Sequence, residues 1–195
     1  MNILPDKIAL GITEDEVALG SHLIHFWQNE EEFERGVRFL ELGIENESQY
    51  CVLFGHEEAN QEVLEILRKK YPDLDRVIRE GSASEMLANI EAAFAAAVRK
   101  GATAIRYLGN LGVGQAPLPG RGTDEVIQLE NGATLLGRRY PCVIVCMYDV
   151  NTVSGRLLLN AGFGTHDLAV WGHALTQNAY FAPHEEAKRK YRAAL

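Results

Sequence analysis

Apolar positions along this chain follow two rhythms. Short continuous apolar runs cover His22–Trp27, Tyr50–Phe54, Thr103–Leu108, Cys142–Tyr148 and Leu168–Trp171, with a weaker candidate at Arg76–Arg79. Continuous apolarity over so few residues predicts strands buried on both faces. Between the runs, apolar residues return every three or four positions. Glu30–Leu42 carries Phe33, Val37 and Leu40 at helical spacing, and Glu57–Lys70 carries Val63, Leu64, Ile66 and Leu67. The alanine-rich Ser84–Lys100 and the stretch Thr123–Leu136 predict two more helices, Asn151–Asn160 a short one, and Glu185–Leu195 a charged helical tail. The opening 20 residues are weakly patterned and read as an arm or an edge strand.

Punctuation agrees with these elements. Asn29 is placed to cap the first helix, with Glu32 three residues on in capping-box position. Gly43 suits its C-cap, and Pro72 stops the second helix. The glycine- and proline-rich Gly109–Gly122 predicts a loop. Strands alternating with helices imply parallel crossovers, and such sheets bind ligands at the carboxyl ends of their strands. Those ends hold His25-Phe26-Trp27, Gly55-His56-Glu57-Glu58, Leu108-Gly109-Asn110 and Tyr148-Asp149. His25 and His56 end strands read as neighbours, placing them to line one pocket.

Composition narrows the function class. A chain of 195 residues fits one domain, and 47% hydrophobic and 24% charged residues are ordinary for a soluble globular protein. The net charge of −8 disfavours nucleic acid and anionic membranes as partners. No apolar run is long enough to span a bilayer, and the acidic N-terminal stretch lacks a secretory core, so a cytoplasmic location is expected. Cys51, Cys142 and Cys146 all sit in apolar runs. Cys142 and Cys146 face one side of a strand about 13 Å apart, too far to bridge, and read as buried inert thiols.

The candidate chemistry is mostly negative. After the first strand a phosphate loop would need glycines and a lysine, and Gln28-Asn29-Glu30-Glu31-Glu32 stands there instead. Those carboxylates complement the helix dipole themselves and repel a triphosphate. The glycines of GNLGVGQ fall at 109, 112 and 114, without dinucleotide-binding spacing. No histidine pair has zinc-protease spacing, and no nucleophile elbow occurs. Glu57 and Glu58 read as first-turn helix charges or as carboxylates at the ligand edge. Arg106, inside the apolar TAIRYL, needs a partner such as Asp149 or Glu57, or a ligand. Phe26, Trp27, Tyr107, Tyr148 and Trp171 offer aromatic walls near strand ends.

Taken together, HLIHFWQNEEEFERGVRFLELGIENESQYCVLFGHEE, IRYLGNLG, VCMYDVNTVSG and THDLAVWGHALTQNAYF resemble the MEDS domains, sensory domains named for methanogens, methylotrophs and the dichloromethane-responsive regulator. The resemblance covers residues 20–182. It departs at Gly43-Ile44, Asn46-Glu47 and His166-Asp167, where the family usually carries Gly-Leu, Gly-Glu and His-Pro. The family looks like a degenerate relative of RecA-type clock ATPases. The resemblance therefore implies a three-layer α/β fold with a mainly parallel sheet, His25–Glu32 in place of the phosphate loop, and Glu57-Glu58 at the paired-acid position. It also implies a sensor of small hydrocarbon derivatives acting with histidine kinases or transcription regulators. The tail is too short for either output, so signalling through a partner is expected.

The resulting expectation is one RecA-like α/β domain, residues 1–195, acting as a non-catalytic small-molecule sensor. Its ligand site would lie at the carboxyl edge of the sheet, built from His25, Phe26, Trp27, His56, Glu57, Arg106, Tyr148 and Asp149. No cofactor or metal is expected. Partners would be a small apolar ligand and a kinase or regulator, with homo-oligomerisation open and no nucleic acid or membrane. An altered nucleotide-binding pocket and a pure protein-interaction module stand as alternatives.

Overall fold

In the computed structural model, residues 6–74, 78–82, 87–110 and 123–180 are described. The predicted tail and most of the Gly109–Gly122 loop lie outside them. A hairpin of β1 (Lys7–Ala9) and β2 (Glu16–Ala18) precedes the main sheet. Seven strands then follow: β3 (His22–Trp27), β4 (Gln49–Gly55), β5 (Ile78–Ser82), β6 (Ala104–Asn110), β7 (Cys142–Asp149), β8 (Leu168–Trp171) and β9 (Ala174–Gln177). Their spatial order is β5-β4-β6-β7-β3-β8-β9. The first six are parallel, and β9 turns back antiparallel on β8.

Helices cover both faces because each buried strand is apolar on both sides. On one face, α1 (Glu30–Ile44) and α2 (Glu57–Arg68) seal Leu23, Leu53, Leu108, Val145 and Met147, and the hairpin joins them through Ile8, Leu10 and Val17. On the other, α3 (Leu87–Arg99), α4 (Thr123–Arg139) and α5 (Gly155–Leu157) cover Ile24, Phe26, Val52, Ile105, Ile144 and Tyr148. A π-helical turn, Leu158–Phe163, continues α5.

The α/β class and mainly parallel sheet agree with the sequence reading. The neighbour relation does not. Two strands, β6 and β7, lie between β3 and β4. Three strand spacings of about 4.8 Å separate His25 from His56 laterally. A crossover connection can carry the next strand past its neighbours in a parallel sheet, so succession along the chain does not fix adjacency. The β8–β9 hairpin is a further difference: the polar Ala174–Gln177 carries no apolar run and pairs only at the sheet's edge.

Gly43 is a correction of another kind. Helix α1 runs through it to Ile44, and Glu45 occupies the C-cap. A Cβ on Gly43 would lie 2.4 Å from Cys51 Sγ and 2.7 Å from Arg106 Cδ. The glycine is there for the close approach of α1 to the sheet rather than to end the helix.

Candidate functional site

The loop after β3 comes first, since it joins the carboxyl end of a central strand to the first turn of α1. Asn29 Oδ1 accepts from the Glu32 amide at 3.0 Å, and the Glu32 carboxylate accepts from the Gln28 amide at 2.9 Å. The first turn of α1 is thus closed by its own side chains, with three glutamates on it. An anion there would have to displace them.

The eight predicted residues are divided by the pleat. His25 and Trp27 point to the α1 face. His25 Nε2 donates to the Glu32 carbonyl at 2.9 Å, and burial lowers the ring to about 4. Trp27 packs edge-on against Phe33 at 5.0 Å. Phe26 and Tyr148 point to the opposite face. Asp149 accepts from the Asn151 amide and side chain, shaping the turn after β7. His56 and the exposed Glu57 open α2, on the far side of β6.

Arg106 sits near the other end of the sheet. It is level with Val143, six residues before Asp149 on the neighbouring strand, so about 20 Å separates them along the sheet. Its guanidinium donates to Gln49 Oε1 at 2.6 Å, the Phe39 carbonyl at 3.1 Å and the Ala9 carbonyl at 2.9 Å, and lies 4.9 Å over the Phe39 ring. Neither Asp149 nor Glu57 pairs with it. It fastens the β1–β2 hairpin and borders a cavity of about 510 Å³ with Lys7, Glu16 and Thr103. The structure therefore gathers only part of the predicted set at the carboxyl edge.

On the face of β3 and β8 that α4 and α5 cover, an aromatic series rises from core to surface. Phe26 is buried against Phe163 and Trp171, with both ring centroids at 5.4 Å, and Phe163 meets Tyr180 at 6.0 Å. Trp171 is 56% exposed and Tyr180 78%. Asn178 holds the series together by donating to the carbonyls of Phe163 at 2.8 Å and His166 at 2.7 Å.

Beneath the same face lies a buried polar nest. Glu130, on the inner side of α4, accepts from Tyr148 Oη at 2.7 Å and Cys146 Sγ at 3.2 Å. His22 Nε2 lies 3.3 Å from its Oε2, and His166 Nε2 3.6 Å. Burial pushes the Glu130 carboxyl up, and the charge of His166 and His22, when those rings are protonated, pulls it down together with the Tyr148 hydroxyl. Burial and the adjacent His22 bring His166 down to about 3, against the pull of Glu130. Burial, with Glu130, raises the Cys146 thiol well above its ordinary value.

The nest eluded the sequence reading because its members come from four segments with no common spacing. One signal was present: Glu130 shares the inward face of its helix with Val126, Leu129 and Ala133, where a carboxylate must find partners.

A model of the MEDS family, described as the MEthanogen/methylotroph, DcmR Sensory domain, matches residues 21–167. The chain is also similar to the Transcriptional repressor DcmR of Methylorubrum extorquens (strain DSM 6343 / CIP 106787 / DM4). The two are 28% identical over 123 residues, which is 57% of this chain and 45% of the repressor. The chain thus matches a little under half the length of that relative.

Proposed function

The chain belongs to the MEDS family, and on that premise we propose that it is a regulatory sensor of a small apolar molecule, acting on transcription or a kinase through a partner. The observation that carries the ligand side is the Phe26–Phe163–Trp171–Tyr180 series. Monomer surfaces seldom present large aromatics together without a use, and a rigid aromatic wall with a buried base suits a small hydrocarbon derivative. The self-closed first turn of α1 argues against an anionic ligand at the neighbouring loop. The similarity to a transcriptional repressor supports the regulatory side, and catalysis has no support from family or relative.

Thermal melting with a panel of one- to three-carbon hydrocarbons, halogenated and plain, tests the proposal. At least one should raise Tm in the parent protein, since a ligand selective for the folded state stabilises it by mass action. Trp171→Ala should melt like the parent and lose that rise. A rise with magnesium ATP instead, or a ligand response unchanged in W171A, would overturn the reading.

A further inference from the structure

We propose that His22, Glu130, Cys146 and His166 form a buried tetrahedral binding site for a divalent ion of zinc type. The ligand atoms of the four side chains all lie within 4.8 Å of one another. Glu130 Oε2 is 3.3 Å from His22 Nε2, 3.2 Å from Cys146 Sγ and 3.6 Å from His166 Nε2, and His22 Nε2 is 3.3 Å from Cys146 Sγ. Bonds of about 2.1 Å from a central ion to tetrahedral ligands put those ligands about 3.4 Å apart. Four of the six separations straddle that value, and the two that involve His166 with His22 and Cys146 stay within 4.8 Å, so closing on an ion asks for a shift of the His166 ring at most.

The proton count points the same way. His166 Nδ1 lies 2.7 Å from the Gly162 carbonyl, which can only accept, so Nδ1 carries the hydrogen. His22 Nδ1 lies 2.9 Å from Thr134 Oγ1. That hydroxyl gives its own hydrogen to the carbonyl of Glu130 or Thr165, each 3.1 Å away, and so accepts from the imidazole. In neutral rings both Nε2 atoms then turn lone pairs inward, toward a carboxylate. His166 Nε2 is fully buried and has no hydrogen-bond partner among the described residues. A nest with more lone pairs than hydrogens is held together by a cation.

The surroundings fit that role. In metal sites the outer nitrogen of each histidine and the second carboxylate oxygen are held by neighbouring groups. Here Thr134 and Gly162 hold the imidazoles, and Tyr148 Oη holds Glu130 Oε1. The set of two imidazoles, one carboxylate and one thiol favours zinc over magnesium or calcium. When the ion binds, the Cys146 thiol proton leaves to solvent. The thiolate and carboxylate then balance the ion's two charges inside the core.

The full chain, produced in zinc-depleted, cobalt-supplemented medium and desalted, is the test. The expected result is about one cobalt per chain, with visible bands of tetrahedral intensity and a sulfur-to-cobalt charge-transfer band. Cys146→Ser should lose the charge-transfer band, and His166→Gln should lower bound metal by at least about tenfold. Cys51→Ser should keep the full spectrum. X-ray absorption on the parent protein should find one sulfur and three nitrogen or oxygen ligands, a measurement that stands even if C146S does not fold. A folded parent protein carrying less than about a tenth of an equivalent overturns the proposal. So does a metal shell without sulfur, or a charge-transfer band that survives in folded C146S.

Discussion

Replacing Arg106 with methionine should loosen the N-terminal hairpin before anything else. Arg106 is 2% exposed, and among the described residues its guanidinium has no carboxylate partner; it is held by Gln49 Oε1 and the carbonyls of Phe39 and Ala9. Methionine fills most of the volume but donates nothing. The Phe39 carbonyl keeps its partner within α1, so what is lost there is a buried hydrogen bond from a charged donor, about 1.5–3 kcal/mol. The contacts to Gln49 and Ala9 are part-buried, and water can replace the donor there, for about 1 kcal/mol each. Removing a buried charge returns part of its desolvation cost. The net expectation is a loss of about 3 kcal/mol. Urea denaturation measures that loss, and hydrogen exchange locates it. Amides of Lys7–Ala9 and Glu16–Ala18 should lose protection, while β6 and β7 keep theirs. Stability within about 0.5 kcal/mol of the parent, with hairpin protection unchanged, would refute Arg106 as the fastener.

Three other perturbations have defined outcomes. Gly43→Ala places a methyl against Cys51 Sγ and Arg106 Cδ and should cost about 3 kcal/mol in urea. Adding Cys51→Ala should recover part of that loss, and simple additivity would deny the contact. Asn29→Ala removes the acceptor for the Glu32 amide and should cost about 1 kcal/mol, read as a drop in Tm. His25 is held at about 4 when folded, against 6.5 when exposed, so its stabilising contribution is full above pH 6.5 and lost as pH falls toward 4. That loss approaches about 3 kcal/mol. His25→Gln should lower the slope of a pH series of urea midpoints by about one proton's share, leaving the part that His166 contributes in the same window, and an unchanged slope would rule the residue out.

Some of this was legible from residues alone. The uninterrupted run CVIVCMY reads as the clearest strand, and it forms β7, between β6 and β3. The Asn29–Glu32 pair stated its own capping geometry, because both partners sit in one turn. What involves distant segments was not legible. Arg106 reads as a charge in a strand, and the sequence does not say whether that position lies at the amino or carboxyl end of its neighbours. Its partners, Phe39 and Ala9, are backbone carbonyls without a signature. Phe26 and Trp27 are adjacent in sequence, yet the pleat sends them to opposite helical layers. Strand order and pleat direction together decide which residues meet, and neither is written locally.

The π-helical turn Leu158–Phe163 belongs to both halves of this molecule. Its last residue presents the Phe163 ring to the aromatic surface, while the residue before it lends its carbonyl to His166, and the Ala161 carbonyl accepts from Thr165 Oγ1. A single turn thus serves both, with one side chain on the outside and two carbonyls in the polar interior. Surface and interior share one support, so a substitution within this turn touches both at once.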